Sequence, residues 1–340
     1  MKALVIEGPG EMAIREVDRP RAAREEVLLQ MRYVGFCGSD LSTYLGRNPM
    51  VNYPRIPGHE ISGFIQELGE QVPEEFKVGD AVTVVPYTSC GECPSCRRGR
   101  SNACRENQTL GVQRDGAMQE YIAVPWQKIL TAPALNALEL SLVEPLTVGF
   151  HAVRRGRVEE KDVVMVLGCG MIGAGAIAAA ARRGARVIAV DIDARKLELT
   201  GRLGAQHTIN SRQEDLHSEL EKLTGGHGAD VVIEAAGNPL TYRMAVEEVA
   251  FSGRVVCIGY AGNEVSFPTK LFVQKEMDIM GSRNATSEDF KEVISYLELG
   301  IFPLDAVITR KVKAGEAAGA IGQWAADPGK VMKMLLDFTT

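Results

Sequence analysis

Four cysteines, Cys90, Cys93, Cys96 and Cys104, fall within the short run CGECPSCRRGRSNAC. Thiolates two residues apart on Gly/Pro turns can converge on one zinc ion, and four of them close its tetrahedral sphere. A closed four-thiolate site leaves no position for a substrate, so it staples a loop, and any catalytic metal must be held elsewhere. Seven cysteines cannot all pair, and Cys37, Cys169 and Cys257 lie far apart among apolar residues. Reduced thiols in a cytoplasmic protein fit that arithmetic best.

A second pattern that could do chemistry is Gly168-Cys169-Gly170-Met171-Ile172-Gly173. It follows the apolar β-branched run Val163 to Leu167 and opens an Ala-rich helical stretch. In that setting Gly168 permits a tight turn, Gly170 lets the backbone approach a pyrophosphate, and Gly173 allows close helix packing. Met171 and Ile172 begin the helix whose N-terminus attracts the phosphate charge. Asp191 ends the next apolar run and would accept hydrogen bonds from adenosine ribose hydroxyls while repelling a 2′-phosphate. NAD is therefore expected over NADP, with Arg195 and Lys196 nearby keeping NADP as the lesser alternative.

These motifs need a scaffold, and 340 residues at 45% hydrophobic composition supply enough core for two domains. A net charge of -6 with mixed signs gives no basic face for nucleic acid. The N-terminus meets Glu7 too early for a secretory signal. Residues 163–181 carry no charge, about a membrane span in length, but β-branched residues, then glycines, then alanines make them strand, turn and helix, so no membrane partner is expected. The first third reads as short strands between Gly/Pro turns: Ala3 to Ile6, Val27 to Val34, Ile61 to Leu68, Ala81 to Val85 and Gln119 to Val124. From about Asp162 strands alternate with helices, at Val163 to Leu167, Arg186 to Val190, Val231 to Ala235, Arg254 to Ile258 and Met277 to Gly281. That alternation predicts a parallel doubly wound sheet. A helix from about Ser287 to Leu299 and a strand-like Val331 to Phe338 complete the pattern.

Gly35-Phe36-Cys37-Gly38-Ser39-Asp40 and Gly58-His59-Glu60-Ile61-Ser62-Gly63, the latter continued by Gly69 and Val72, join the two motifs above in a fixed order. Alone, Cys37 reads as a small buried hydrophobe and His59-Glu60 as a polar pair at a turn. Together the four segments resemble the zinc-containing medium-chain dehydrogenases, the family of alcohol, sorbitol and threonine dehydrogenases. Val143-Glu144-Pro145-Leu146-Thr147-Val148-Gly149 looks like the sorbitol dehydrogenase branch.

The resemblance implies an α/β protein: a GroES-like β-rich catalytic domain over 1–145 with two zinc sites, a Rossmann NAD domain over 146–283, and a part over 284–340 that returns to the catalytic domain. It puts the catalytic zinc on Cys37 and His59, with Glu60 and Glu144 sharing the remaining positions with water, and Asp40 orienting His59. Zinc would lower the pKa of a substrate hydroxyl, hydride would pass to the nicotinamide, Ser39 would start a proton relay and Thr147 would lie near the nicotinamide. Ser42 stands where many relatives carry a proton-relaying histidine.

The stretch GSRNAT at 281–286, with Tyr53-Pro54-Arg55 and His151-Ala152-Val153-Arg154-Arg155, looks like bacterial sugar-acid dehydrogenases that oxidise hexonates such as L-galactonate or L-gulonate. Arg283 is then the residue to hold a substrate carboxylate by paired hydrogen bonds, with Asn284 reading a hydroxyl. An interdomain salt bridge is the alternative for Arg283. The expected function is oxidation of a secondary alcohol of a sugar acid or polyol by NAD. A sorbitol, polyol or threonine dehydrogenase is the runner-up, and a non-catalytic NAD-binding sensory protein the reading from another class. A homodimer or homotetramer through edge strands, with Gly262 to Pro268 as a contact, is expected from the resemblance.

Overall fold

Residues 26–36, EVLLQMRYVGF, are mostly strand formers and bury Val27, Leu28, Leu29, Met31, Val34 and Phe36. In the computed structural model, which describes residues 1–339, they form the strand around which the first sheet is built. The leading stretch contributes β1 (Lys2–Gly8), β2 (Glu11–Glu16), β3 (Glu26–Phe36), β4 (Glu60–Leu68), β5 (Ala81–Val84), β6 (Tyr121–Pro125) and β7 (Ile129–Thr131). β1 and β2 make a separate antiparallel pair. β3 pairs antiparallel with both β4 and β6, β4 with β5, and β5 with β7. In the β3–β4 register Gly35 stands opposite Glu60, which proves decisive for the site.

A second sheet follows. β8 (Val163–Leu167), β9 (Arg186–Asp191), β10 (His207–Asn210), β11 (Ala229–Glu234), β12 (Val249–Cys257) and β13 (Asp278–Gly281) lie in the order β10-β9-β8-β11-β12-β13. Every neighbouring pair is parallel. Parallel strands need crossovers, and the helices between them cover the faces, so β8, β9 and β11 are almost continuously apolar and buried. The strand order reverses between β8 and β11, the switch point at whose carboxyl ends a dinucleotide binds in such sheets. The expected doubly wound α/β fold is thus realised.

The chain then returns to the first sheet. β14 (Ile308–Val312) runs parallel to β15 (Lys333–Asp337), and β15 pairs antiparallel with β3, placing Met334 opposite Phe36. β14 and the helix Ala314–Ala326 were absent from the sequence reading. β14 alternates exposed Thr309 and Lys311 with half-buried residues, as an edge strand does, and so carries little apolar signal.

Compact units divide the chain as Met1–Glu144 with Ile294–Thr340, and Pro145–Val293. Residues 284–293, assigned from the sequence to the returning part, group instead with the parallel sheet. The physical reason is Asp289. This carboxylate, fully buried, accepts hydrogen bonds from Thr286 N–H and Thr286 Oγ1, both at 2.7 Å, and lies 2.8 Å from His151 Nδ1. Arg154, one turn along the same helix from His151, forms ion pairs with Asp289 and Glu292. Among the described residues no helix is long and apolar enough to cross a membrane.

Arg154 is 36% exposed and keeps Glu292, so the cost of removing the Asp289 carboxylate comes mainly from the hydrogen-bond donors left unpaired around it, about 1–3 kcal/mol. Asp289→Ala should therefore lower unfolding stability by about that amount in urea titrations, whereas Asp278→Ala, at an exposed ion pair with Arg157, should change it by less than about 1 kcal/mol.

Candidate functional site

The four-cysteine run folds as two tight turns. Gly91 and Gly99 have positive φ (79° and 72°), and the short helix Pro94–Arg97 sits between them. The sulfurs of Cys90, Cys93, Cys96 and Cys104 cluster, with separations of 3.6 Å (Cys104–Cys90), 3.9 Å (Cys93–Cys104) and 4.0 Å (Cys90–Cys96). A disulfide needs about 2.05 Å. The edge of a tetrahedron with metal–sulfur bonds of about 2.3 Å is about 3.8 Å, so the spacing fits one zinc ion. Cys93 N–H points at Cys90 Sγ and Cys90 N–H at Cys104 Sγ, both at 3.3 Å, which favours thiolate sulfur. Backbone N–H groups of Arg105 and Cys96 lower the Cys93 thiol to about 6.

A second cluster forms where β3 ends and β4 begins. Cys37 precedes the helix Gly38–Tyr44, and its N–H donates to Asp40 Oδ2 at 2.9 Å. Glu60 opens β4, and His59 immediately precedes it. Ligand atoms of Cys37, His59 and Glu60 all lie within 4.8 Å of one another, the second group among the described residues that could hold a metal. Gly35 makes room for this. A Cβ there would fall 1.8 Å from Glu60 Oε2, so only glycine in β3 admits the carboxylate opposite it.

Glu60 is itself anchored. Lys333 Nζ, on β15, lies 2.6 Å from both of its oxygens and 3.2 Å from Phe36 O, and the two side chains are 3% and 1% exposed. Glu144, in the first turn of the helix Val143–Arg155, is buried but lies outside the three-residue cluster. Its Oε1 accepts a hydrogen bond from the buried Tyr87 hydroxyl. Of the two carboxylates expected to share the metal positions with water, Glu60 falls within the cluster and Glu144 outside it. Asp40 also differs from expectation. Its oxygens accept from Cys37 N–H and Gly58 N–H, while His59 Nδ1 is buried with no hydrogen-bond partner, so Asp40 acts on the imidazole only through its charge. Ser39 Oγ is likewise buried without a partner.

All the resolved proton affinities around the cluster are shifted upward. Burial raises Asp40 and Glu144, and burial with the Glu144 charge raises Tyr87. Burial alone would lower His59 and Lys333, yet Cys37 and Glu144 hold His59 well up, and Glu60 with Cys37 does the same for Lys333. Groups of both charge types cling to protons where positive charge is short. Asp40, Glu60 and Glu144 are buried around the cluster with Lys333 as the ammonium on one of them, an excess of acidic groups that a dication would offset. A thiolate, an imidazole and a carboxylate, with a fourth position open, is a donor set suited to catalytic zinc.

The glycine turn after β8 is equally well defined. Gly168 has φ +95°, and a Cβ on Gly173 would fall 1.9 Å from Gly168 O. Gly170 precedes the helix Met171–Arg182 with no side-chain cap, and the space beside its Cα is open. Asp191 accepts N–H bonds from Cys169 (2.7 Å), Ile192 (2.7 Å) and Asp193 (2.9 Å), which fix its carboxylate at the end of β9. A carboxylate has about four acceptor sites, so one remains for a ribose hydroxyl. The Arg195 guanidinium pairs with Asp193 at 2.8 Å, and that bond holds the Asp193 carboxyl down at about 2. Ile172 is half-buried at this turn, and Thr147 is fully buried in its own helix. Arg283 and Asn284 lie half-buried after β13, and Asn284 has a left-handed φ of +53°.

Lys333 and Tyr87 escaped the sequence reading. Lys333 had a signal, a lone cation in the otherwise apolar buried run of β15. Tyr87 had none beyond its place three residues before Cys90.

Residues 23–134 match the alcohol dehydrogenase GroES-like domain, and residues 172–298 match the zinc-binding dehydrogenase domain. The chain is 36% identical to L-galactonate-5-dehydrogenase of Escherichia coli K12 over 312 residues, covering 92% of this chain and 91% of the relative. It is 35% identical to sorbitol dehydrogenase of Bacillus subtilis over 316 residues, 91% and 89% of the two chains. Among solved structures, the NADH complex of the alcohol dehydrogenase RspB from Escherichia coli CFT073 superposes with a TM-score of 0.92 at 31% identity, covering 99% of each chain.

Elemental analysis of the purified protein should find two zinc ions per chain. Cys104→Ser is expected to lose one and to lower the melting temperature, and Cys37→Ser to lose the other. Retention of both ions by Cys37→Ser would remove the Cys37 cluster as a zinc site.

Proposed function

Because this chain belongs to the zinc-type alcohol dehydrogenase family, we propose that it oxidises a secondary alcohol of a sugar acid, with a hexonate such as L-galactonate or L-gulonate as substrate and NAD as acceptor. The observation that carries the catalytic part is the convergence of Cys37, His59 and Glu60 beside the partnerless Ser39 hydroxyl. When bound, zinc supplies a Lewis acid that lowers the pKa of a substrate hydroxyl, and NAD supplies the hydride acceptor.

The chain's own residues supply the rest. Cys37, His59 and Glu60 would hold the metal, and Lys333 holds the Glu60 carboxylate in place. Ser39 Oγ, buried without another partner, would accept the hydrogen bond of the substrate hydroxyl and relay the leaving proton to solvent water. Glu144, buried beside the cluster, offers a second acceptor. The glycine turn and the N-terminus of the helix Met171–Arg182 would receive the pyrophosphate, with Asp191 on the adenosine ribose. The Asp191 carboxylate at the end of β9 would repel a 2′-phosphate, and Arg195 is engaged with Asp193, which supports NAD over NADP.

A carboxylated substrate is supported by the likeness to L-galactonate-5-dehydrogenase, which spans nearly the whole chain. The similar identity to sorbitol dehydrogenase makes a neutral polyol the second reading.

A panel of L-galactonate, L-gulonate, sorbitol and L-threonine with NAD or NADP, followed by reduced-cofactor absorbance, separates the readings. The expected result is highest kcat/KM with a hexonate and NAD; preference for sorbitol would select the polyol reading. Arg283→Ala should cut kcat/KM for the hexonate by about 10- to 100-fold, the loss of a charge-assisted hydrogen-bond pair, and leave sorbitol nearly unaffected. Ser39→Ala should lower kcat by about 10²- to 10⁴-fold with zinc content unchanged. Turnover equal to the parent would take Ser39 out of the mechanism.

A further inference from the structure

Glu234, the last residue of β11, is fully buried, and among the described residues its carboxyl forms no ion pair. Its two oxygens are treated unequally. Oε1 accepts hydrogen bonds from the N–H groups of Ala236 (3.0 Å) and Gly237 (2.8 Å), and the Thr241 hydroxyl lies 2.7 Å from it, whereas Oε2 is buried without a partner. A half-satisfied buried carboxyl is costly, and native proteins keep few such groups without a use.

The loop that Glu234 gathers lies at the switch point between β8 and β11. Ala235 N–H donates to Leu167 O at the end of β8 (2.9 Å), and a Cβ on Gly168 would fall 3.0 Å from Ala236 N. On its other side, a Cβ on Gly259, just after β12, would fall 2.2 Å from Gly237 N, and the Tyr242 hydroxyl donates to Gly259 O. Residues 235–237 are thus wedged between the glycine turn and the loop after β12. In a trans peptide N–H and C=O point opposite ways, so drawing the Ala236 and Gly237 N–H groups inward turns the Ala235 and Ala236 carbonyls away from the buried carboxyl.

We propose that Glu234 is a positioning residue for the dinucleotide: by holding two successive N–H groups on one buried oxygen, it sets residues 235–237 as a fixed lip of the crevice beside the glycine turn, with carbonyl acceptors turned toward the hydroxyl groups of the cofactor. The inference rests on the NAD-dependent reading. Buried beneath its loop, Glu234 acts through the backbone and not by touching the cofactor. A lip already ordered adds no ordering cost when the cofactor binds, whereas a loosened one would, so the loss falls on affinity and not on the chemical step.

The test compares the parent with Glu234→Met, which keeps the length of the side chain and removes both oxygens, and Glu234→Gln, which keeps an acceptor. In NADH fluorescence titrations the Kd should rise by about 10- to 100-fold in Glu234→Met and stay within about threefold of the parent in Glu234→Gln, while kcat at saturating NAD stays within about threefold in both. A role confined to stability would lower the melting temperature of Glu234→Met and leave its Kd unchanged, which would overturn the proposal. So would an equal loss of affinity in both variants. Hydrogen exchange of the parent keeps the proposal testable if Glu234→Met folds poorly: peptides spanning residues 235–241 should be protected without cofactor and exchange more slowly still with NADH, and no change on adding NADH would overturn it. If the parent binds neither NADH nor NADPH, the dinucleotide reading fails and this proposal with it; binding by the parent with unaltered affinity in Glu234→Met defeats this proposal alone.

Discussion

Negative charge buried at the junction of β3 and β4 is the constraint on which the first unit is organised. A carboxylate cannot stay ionised inside a β-rich core without a compensating charge within a few ångströms. Glu60 meets that demand through Lys333, brought from β15 by strand pairing against β3. Glycine at position 35 then matters for a reason other than backbone freedom: it is the gap in β3 that the Glu60 carboxylate fills. The cluster stays proton-hungry even with Lys333 in place, as the upward shifts of His59, Asp40, Glu144 and Tyr87 record. A site with that electrostatic appetite binds a dication for the same reason that it would be costly to leave without one.

The second unit solves a different problem with uncharged means. Its anion-receiving surface is built from backbone: a left-handed glycine, an uncapped helix start and a carboxylate locked by three N–H donors. Of the charged side chains near it, Arg195 is paired with Asp193, while Lys196 and Asp191 both act by their charge on Cys169 in the glycine turn. Its buried ionic network, Asp289 with His151 and Arg154, serves cohesion instead, tying residues 284–293 to the parallel sheet.

What the sequence made legible was local. The cysteine spacing, the glycine turn with Asp191, and the Cys37 and His59-Glu60 motifs all lie within short stretches whose residues meet through turns and adjacent strands. The parallel sheet was legible because buried strands are apolar throughout and their order follows from crossovers. Partners contributed from far along the chain were not. Lys333 is 273 residues from Glu60, and Tyr87 is 57 from Glu144, so no spacing rule links them. Asp40 misled in a subtler way: its closeness to His59 was a sound inference, but its oxygens are taken by the N–H groups of Cys37 and Gly58, a preference that depends on exact backbone placement. β14 was invisible because an edge strand with charged alternate residues resembles a loop.

The placement of Lys333 has a bearing on how the protein is made. Chains fold in part as they leave the ribosome, domain by domain. Every strand of the parallel sheet is synthesised before β15, so that unit can mature while the first sheet still lacks the strand beside β3. Until Lys333 arrives, Glu60 has no ammonium to hold it. A nascent polypeptide that has not yet reached β15 can thus carry the parallel sheet while the first sheet lacks the charge that anchors the carboxylate of the Cys37–His59–Glu60 cluster.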